Sequence, residues 1–171
     1  IEGASGRAFL DFMRDEVFRP LGMRQTTADH VDSIIPFRAR WYTADSARGV
    51  VNAPYVDNSY KWAGGGFVAT TEDLVRFGQA MLDGSLLAPG TFRMLTTSQR
   101  TLDGRETNYG IGWGTRRDAK GRRIVAHSGG STGGTAYLVL YPDERLVVAV
   151  LANGDSPFVG ATPFIAEMFL D

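Results

Sequence analysis

The residues with the clearest potential for chemistry lie in one short polar stretch, residues 126–134. It holds His127, one of two histidines in the chain, together with three hydroxyl-bearing residues and four glycines. Apolar, strand-like runs lie on both sides of it, at residues 123–126 and 135–140. Glycine-rich backbone between buried strands lets a ligand approach main-chain N–H groups closely. The sequence therefore predicts a turn here that forms a binding site or one wall of a site.

A self-contained nucleophile is not favoured in this stretch. Gly129, Ser131 and Gly133 fit the G-x-S-x-G pattern of a nucleophile elbow, which requires a strand, a sharp turn and then a helix. The residues that follow have a strand pattern instead. His127 and Ser128 are adjacent, and adjacent strand residues point to opposite faces, so they are not predicted to form a nucleophile–base pair. Taken alone, His127 is either a structural or a catalytic histidine.

Two further motifs give weak signals. The spacing of Gly64, Gly66 and Ala69 ahead of a helix resembles a dinucleotide-binding fingerprint, but residues 58–62 before it do not form the buried strand that the fingerprint needs. A zinc site would have to use His30 and His127 with carboxylates that no spacing indicates. We expect neither a cofactor nor a metal, and we expect His30 to be a surface residue.

Two aspartates are candidates for catalytic acids. Asp73 lies in the first turn of a predicted helix, where a carboxylate stabilises the positive end of the helix dipole, so a structural role is sufficient for it. Asp57 lies in an irregular loop rich in aromatic and polar residues, and loops of this kind often line sites. Asp57 is therefore the better candidate.

Composition excludes several classes of function. The 171 residues are 43% hydrophobic and 22% charged with a formal net charge of −1, which is typical of a globular domain and gives no support to nucleic-acid or anionic-membrane binding. The chain has no cysteine, which excludes disulfides, thiolate metal sites and cysteine catalysis. No apolar run approaches the roughly 20 residues of a membrane-spanning helix. Only Lys61 and Lys120 could serve as a catalytic lysine.

Periodicity and turn signals predict helices and strands along the whole chain. The helices are expected at residues 6–18, with Ser5 as N-cap, from Thr70 to Gly84, at residues 89–96 and at residues 160–170. The strands are expected at residues 37–42, 50–51, 122–126, 135–141 and 145–152, with a hairpin turn at residues 142–144.

The order of these elements predicts an α+β fold in which an antiparallel sheet is flanked by helices. Residues 1–105 are expected to be mostly helix and loop. Residues 106–171 are expected to hold the sheet strands and the C-terminal helix. A first helix so close to residue 1 suggests that the chain is part of a longer domain.

Several longer segments resemble one known family. They are residues 51–74, which include the run from Tyr60 to Leu74, residues 1–6 and 18–23, and His127-Ser128-Gly129-Gly130 downstream. Together they are similar to the serine β-lactamase-like family, which includes penicillin-binding proteins, class C β-lactamases and related esterases. Residues 51–62 are most similar to the family's mitochondrial members and their bacterial relatives.

The resemblance implies roles for particular residues. His127-Ser128-Gly129 corresponds to the family's third motif, K/H-[S/T]-G. Ser128 would then contact the substrate, beside Gly129, and His127 would contribute electrostatics to the proton network. The Gly130 N–H would be half of an oxyanion hole. The loop that holds Asp57 and Tyr60 would also contact the substrate.

The chain departs from the family pattern at the nucleophile. The family uses serine and lysine in S-x-x-K and a tyrosine in Y-x-N or Y-x-S. Neither pattern occurs here, since the positions three before the two lysines hold Asn58 and Arg117. Both motifs precede the first helix in family members. The resemblance therefore implies the C-terminal part of a β-lactamase-like serine hydrolase, inactive alone, whose nucleophile lies in an N-terminal half.

A different class of function stays open beside this one, namely a non-catalytic binding or assembly domain that uses the vacated cleft or an exposed sheet edge. The expected partners are a small-molecule or peptide substrate and the N-terminal half. Homo-oligomerisation is expected if the surface for that half is left uncovered. The substrate class is not determined by the sequence, and the resemblance suggests a bacterial extracytoplasmic or a mitochondrial location.

Overall fold

The computed structural model describes residues 1–155 and 161–170 as a mixture of short helices and antiparallel strands. The α-helices, in chain order, are α1 (Glu2–Ser5), α2 (Phe9–Phe12), α3 (Thr71–Asp83), α4 (Pro89–Leu95) and α5 (Thr162–Glu167). A π-helical segment, Met13–Phe18, continues α2, and a 3₁₀ segment spans Ser59–Gly64. None of the helices in the described residues is long and apolar enough to cross a membrane.

In the described residues, eight strands form three antiparallel sheets. Two small sheets pair β1 (Thr27–Ala28) with β4 (Phe67–Val68) and β2 (Tyr42–Asp45) with β3 (Gly49–Asn52). The main sheet has the order β5-β6-β7-β8, in which neighbours in sequence are neighbours in space. Its strands are β5 (Gly114–Arg117), β6 (Arg123–Ser131), β7 (Gly134–Tyr141) and β8 (Leu146–Ala152).

Successive strand residues point to opposite sides of the main sheet, so apolar residues lie on both of its faces. Each face packs against helical residues. On one face Ile124, Val139 and Val148 pack against Ala166 of α5. On the other face Val125, Leu140 and Val147 pack against Met81 of α3 and against Trp113. The expected α+β fold, an antiparallel sheet flanked by helices, is confirmed.

The longest helix, α3, shows why the sheet and helices fit closely. Thr70 caps it by accepting a hydrogen bond from the N–H of Asp73 at 3.3 Å, and Gly84 ends it in the left-handed conformation at φ 83°. Within the helix, a Cβ on Gly78 would lie 2.6 Å from a methyl group of Val147, so only glycine allows this approach to β8.

Two predictions from the N-terminal part were wrong in position. The first long helix begins at Phe9, and Ser5 instead ends α1, where Gly6 is left-handed at φ 67°. The strand predicted at residues 37–42 begins only at Tyr42, since Phe37 has φ 59° and cannot be part of an extended strand. The predicted pairing at residues 50–51 is present in β3.

The polar stretch at residues 126–134 is mostly strand, which corrects its prediction as a turn. β6 continues through its glycines to Ser131, and the turn consists of Thr132 and Gly133, with Gly133 at φ 72°. The helix predicted at residues 160–170 is present as α5, while Gly160 and Asp171 lie outside the described residues.

Candidate active site

The outer edge of β6 is open where the third-motif residues lie. β5 pairs with β6 from Arg117–Arg123 to Gly114–Ala126 and ends there. β6 continues for five more residues, paired with β7 on its other side. Among the described residues, no strand pairs with β6 on the outer side beyond Ala126.

The register determines which main-chain groups point to this open edge. The N–H of Asp118 donates to the carbonyl of Arg122 at 3.1 Å, so these two residues form a hydrogen-bonded pair. Such pairs alternate along an antiparallel ladder, and the main-chain groups of Ala126 therefore also point towards β5. By the same alternation, the N–H groups of Ser128 and Gly130 point to the open edge.

A cavity of about 560 Å³ lies at this edge. Its walls carry arginine, histidine, hydroxyl and amide groups. No aspartate or glutamate is among the described residues that line it. The lining residues are Asn108, Tyr109, Gly114, Thr115, Arg116, Arg117, Ala126, His127, Ser128 and Tyr137. Gly129 and Gly130 continue β6 beyond this lining.

His127 is held by a tyrosine from another segment. Its Nε2 lies 2.8 Å from the Oη of Tyr109, at hydrogen-bond distance. The two ring centroids are 6.2 Å apart at an interplanar angle of 67°, an edge-to-face arrangement. Sequence analysis did not identify Tyr109; the one local signal is that glycine alternates with large residues over 109–114.

Ser128 has its own cross-strand partner on the opposite face of the sheet. It pairs with Tyr137 of β7, and the hydroxyl of Tyr137 accepts a hydrogen bond from Nη2 of Arg116 at 3.1 Å. Arg116, Tyr137 and Ser128 therefore form a continuous polar row. Sequence analysis missed Arg116 and Tyr137, because their contact depends on the strand register.

The structure does not bring Asp57 or Tyr60 to this cavity. Asp57 accepts a hydrogen bond from the N–H of Ser59 at 2.8 Å, which begins the 3₁₀ segment, and hydrogen bonding from Ser59 lowers the pKa of the Asp57 carboxyl. The ring of Tyr60 is exposed and packs against the amine of Lys61. Their assignment to substrate contact stays a prediction.

The loop that carries Asp57 is anchored by Asn58 to a buried carboxylate, that of Asp29. Nη2 of Arg38 lies 2.8 Å from Oδ1 of Asp29, whose side chain is 3% exposed. Nδ2 of Asn58 donates to the other carboxylate oxygen of Asp29 at 3.3 Å. Since a buried carboxylate is costly without partners, these contacts anchor the loop and assign Asp29 a structural role.

Ser131 and His30 lie in surroundings that differ from a nucleophile elbow and from a zinc site. Ser131 is the last residue of β6, and β7 follows it after the turn, so the helix of a nucleophile elbow does not occur there. The ring of His30 packs against Trp62 with centroids 4.7 Å apart. In the described part of the chain, no three histidine, aspartate or glutamate side chains are arranged to hold a metal ion.

Comparison with known proteins gives matches over nearly the whole chain. The Beta-lactamase family model matches residues 1–167. The mitochondrial serine beta-lactamase-like protein LACTB of Bos taurus is 35% identical over 201 residues, which cover 95% of this chain and 36% of that protein. The chain spans about a third of the length of such curated relatives.

Solved structures also share the fold. The octameric penicillin-binding protein homologue from Pyrococcus abyssi superposes with a TM-score of 0.81 at 21% identity, over 99% of this chain and 39% of that one. The D-amino acid amidase from Ochrobactrum anthropi SV3, complexed with L-phenylalanine amide, gives 0.77 at 22% identity, over 99% of this chain and 52% of that one.

Proposed function

The chain belongs to the beta-lactamase family, and we propose that it supplies one wall of a serine hydrolase active site that acts through an acyl-serine intermediate. The proposed wall is the open edge of β6 with the cavity beside it. The observation that carries the proposal is the outward direction of the Ser128 and Gly130 N–H groups at an edge where, among the described residues, no strand covers them.

This edge suits the chemistry of acyl transfer. When a serine hydroxyl attacks an ester or amide carbonyl, the carbonyl oxygen becomes an oxyanion as the new C–O bond forms. A fixed main-chain N–H stabilises that charge without reorganisation, and losing one such donor typically costs about 10²–10³ in rate. We assign this donor to Gly130, and we assign Ser128 to substrate contact at the same edge.

The charges around the cavity favour a substrate with an anionic group. Arg116 and Arg117 line it, and no carboxylate does so among the described residues. Arg116 also binds the Tyr137 hydroxyl next to Ser128, so a positive charge lies along the row that ends at Ser128. A peptide or ester that carries a carboxylate therefore suits the cavity, since the guanidinium group pairs well with such groups.

We place the nucleophile outside these 171 residues, because the sequence contains no S-x-x-K and no Y-x-N or Y-x-S. It would come from an N-terminal half, in the same polypeptide or as a separate chain. The short span of this chain relative to its curated relatives supports that arrangement. On this proposal the chain alone does not turn over substrate.

The test compares the isolated chain with the chain joined to its N-terminal half. Both are incubated with a chromogenic ester, a cephalosporin and a serine-directed acylating probe. Hydrolysis and probe labelling are expected only in the joined protein, with the acyl group on the S-x-x-K serine. If the isolated chain hydrolyses the substrate and the probe blocks it, the nucleophile lies within these residues and the proposal is wrong.

A binding or assembly role is the second candidate. The outer edge of β8 is unpaired among the described residues, and Phe164, Met168 and Phe169 at the C-terminal helix are exposed. Exposed apolar side chains beside an open strand edge favour association with another chain. A joined protein that folds and oligomerises but never reacts with the acylating probe would favour this role over catalysis.

A further inference from the structure

We propose that Tyr109 is the positioning residue for His127, fixing both the orientation and the tautomer of its imidazole. For the reaction, this inference rests on the proposed function, since it assumes that His127 belongs to a proton network. The contact itself is independent of that assumption, because it is a feature of the cavity wall.

The contact between Tyr109 and His127 is direct, and it joins the segment before β5 to strand β6. Tyr109 Oη lies 2.8 Å from His127 Nε2, and the ring of Tyr109 meets the imidazole edge to face. Among the described residues, no other hydrogen bond holds the His127 ring. An exposed imidazole with one hydrogen bond depends on that bond for its orientation.

The main chain of Tyr109 is fixed on both sides. Its N–H donates to the hydroxyl oxygen of Thr107 at 3.2 Å, and its carbonyl accepts from the N–H of Gln99 at 2.8 Å. The next residue, Gly110, is pressed so closely against α4 that a Cβ there would lie 2.1 Å from the carbonyl oxygen of Leu95. The tyrosine therefore starts from a rigid backbone.

The ring of Tyr109 lies beside Gly114, the first residue of β5. Tyr109 and Gly114 form an isolated β-bridge, and a Cβ on Gly114 would lie 4.0 Å from Cδ2 of the tyrosine ring. The same Cβ would lie 3.3 Å from the carbonyl of Ala126, the residue that pairs with Gly114 and precedes His127. Gly114 therefore connects the segment of Tyr109 to the strand residue that precedes His127.

The consequence for His127 follows from imidazole chemistry. In neutral imidazole one ring nitrogen carries the proton and the other accepts, so a partner that acts consistently as donor or as acceptor at one nitrogen selects the tautomer. The Tyr109 hydroxyl can donate or accept. Because a phenol O–H donates more readily than its oxygen accepts, we assign it as the donor to Nε2, which places the imidazole proton on Nδ1. Without the hydroxyl, the ring would rotate and both tautomers would be populated.

The test reads the imidazole nitrogens by NMR in the ¹⁵N-histidine-labelled chain, at a pH where both imidazoles are neutral. His30 is the internal reference, since the chain has two histidines. We expect one dominant tautomer for His127 in the wild type. In Tyr109→Phe the tautomer ratio should change by about fivefold, the equivalent of one ordinary net hydrogen bond, while His30 is unchanged.

Tyr137→Phe is the matched control, because Tyr137 lines the same cavity but bonds to Arg116. It should leave the His127 nitrogens unchanged. Equal effects of the two variants, or wild-type nitrogen shifts in Tyr109→Phe, would overturn the proposal. If Tyr109→Phe does not fold, His127→Ala gives the reciprocal measurement: the ¹³Cζ resonance of Tyr109 should move and that of Tyr137 should not.

A kinetic experiment separates this proposal from the proposed function. In the protein joined to its N-terminal half, Tyr109→Phe should lower kcat by about tenfold with little change in KM. The effect should disappear in a His127→Ala background, where there is no imidazole to position. An inactive wild type would defeat the proposed function, whereas the NMR result would still decide whether Tyr109 positions His127.

Discussion

The carboxylate of Asp73 accepts a hydrogen bond from the main-chain N–H of Gln25, a residue 48 positions earlier, over 2.8 Å. The same oxygen accepts from the hydroxyl of Thr26 at 2.9 Å, and the other oxygen pairs with Arg76 at 3.0 Å. Asp73 is 1% exposed. The first turn of α3 therefore holds the segment that follows the first helices, in addition to the helix-terminal role that its sequence position indicates.

Replacing Asp73 by alanine should destabilise the fold strongly. The change leaves the N–H of Gln25 and the hydroxyl of Thr26, which meet the carboxylate in a partly buried site, without their acceptor. Groups left unsatisfied in this way cost about 2–4 kcal/mol together. Urea unfolding, read by circular dichroism, measures the loss directly.

The neighbouring Glu72 provides the matched control. It pairs with the same Arg76 at 2.5 Å, but its side chain is 69% exposed. Glu72→Ala should change the free energy of unfolding by less than about 1 kcal/mol, as is usual for exposed ion pairs. Similar losses in the two variants would show that Asp73 acts through Arg76 alone.

The sequence predicted those helices and strands whose ends are marked by residues close by in the chain. Thr70 and Gly84 bound α3, and Pro89 begins α4, because each of these residues satisfies a requirement of the helix terminus within a few residues. The strands β7 and β8 were predicted for a similar reason, since their apolar runs are separated by a short turn.

The sequence failed to predict features that depend on a contact with a residue outside the segment concerned. Residues 37–42 have strand-forming side chains, but the β2–β3 hairpin is set by Asp45, which accepts from the N–H groups of Ala47 and Arg48. The pairing of Tyr109 with His127 spans 18 residues and depends on where β5 ends. No pattern in a single segment reports such a contact.

The attachment of α5 should weaken at acidic pH. Glu167 pairs with Lys120 at 3.1 Å and also with Arg122. The bond from Lys120, reinforced by Arg122 against the opposing effect of burial, lowers the pKa of Glu167 from its usual 4.5. A carboxyl whose folded-state pKa is lowered contributes stability above its unfolded-state pKa and loses it as the pH falls through the folded-state value.

Glu167→Gln isolates this contribution, since it removes the charge and keeps the shape. Its Tm should lie below that of the wild type at neutral pH, and the difference should vanish as the pH falls below the range in which Glu167 titrates. A Tm difference that persists at fully protonating pH would show that the ion pairs are not its source.

Arg116 should determine the affinity for substrates that carry a carboxylate. In the joined protein, Arg116→Ala should raise KM for such a substrate by about tenfold, the usual size of a charge-assisted hydrogen bond. Its neutral ester analogue should be affected little. Measuring KM for both substrates at two salt concentrations checks the electrostatic origin, because added salt screens the exposed guanidinium.

Arg117 is the control for Arg116, because it lines the same cavity while its guanidinium donates to the carbonyl of Gly121 at 2.6 Å. Arg117→Ala should change KM for the carboxylate substrate much less than Arg116→Ala. Equal changes would indicate that the general positive charge of the β5–β6 hairpin attracts the substrate, rather than a contact beside Ser128.

The oxyanion role that we propose for Gly130 can be tested by removing a single N–H. Proline lacks this group, and the Gly130 N–H points to the open edge, so Gly130→Pro removes no hydrogen bond between β6 and β7. In the joined protein this variant should lower kcat by about 10²–10³. Gly130→Ala, which keeps the N–H and has no atom within 4 Å of its Cβ, should retain most of the activity.

Gly129→Pro tests the register on which this assignment depends. The N–H of Gly129 points to β7, where Gly129 pairs with Ala136, so proline there removes a hydrogen bond of the sheet. Gly129→Pro should therefore lower the Tm of the chain clearly more than Gly130→Pro does. The opposite order of Tm values would mean that Gly130 donates within the sheet, and its N–H could not then bind an oxyanion at the edge of β6.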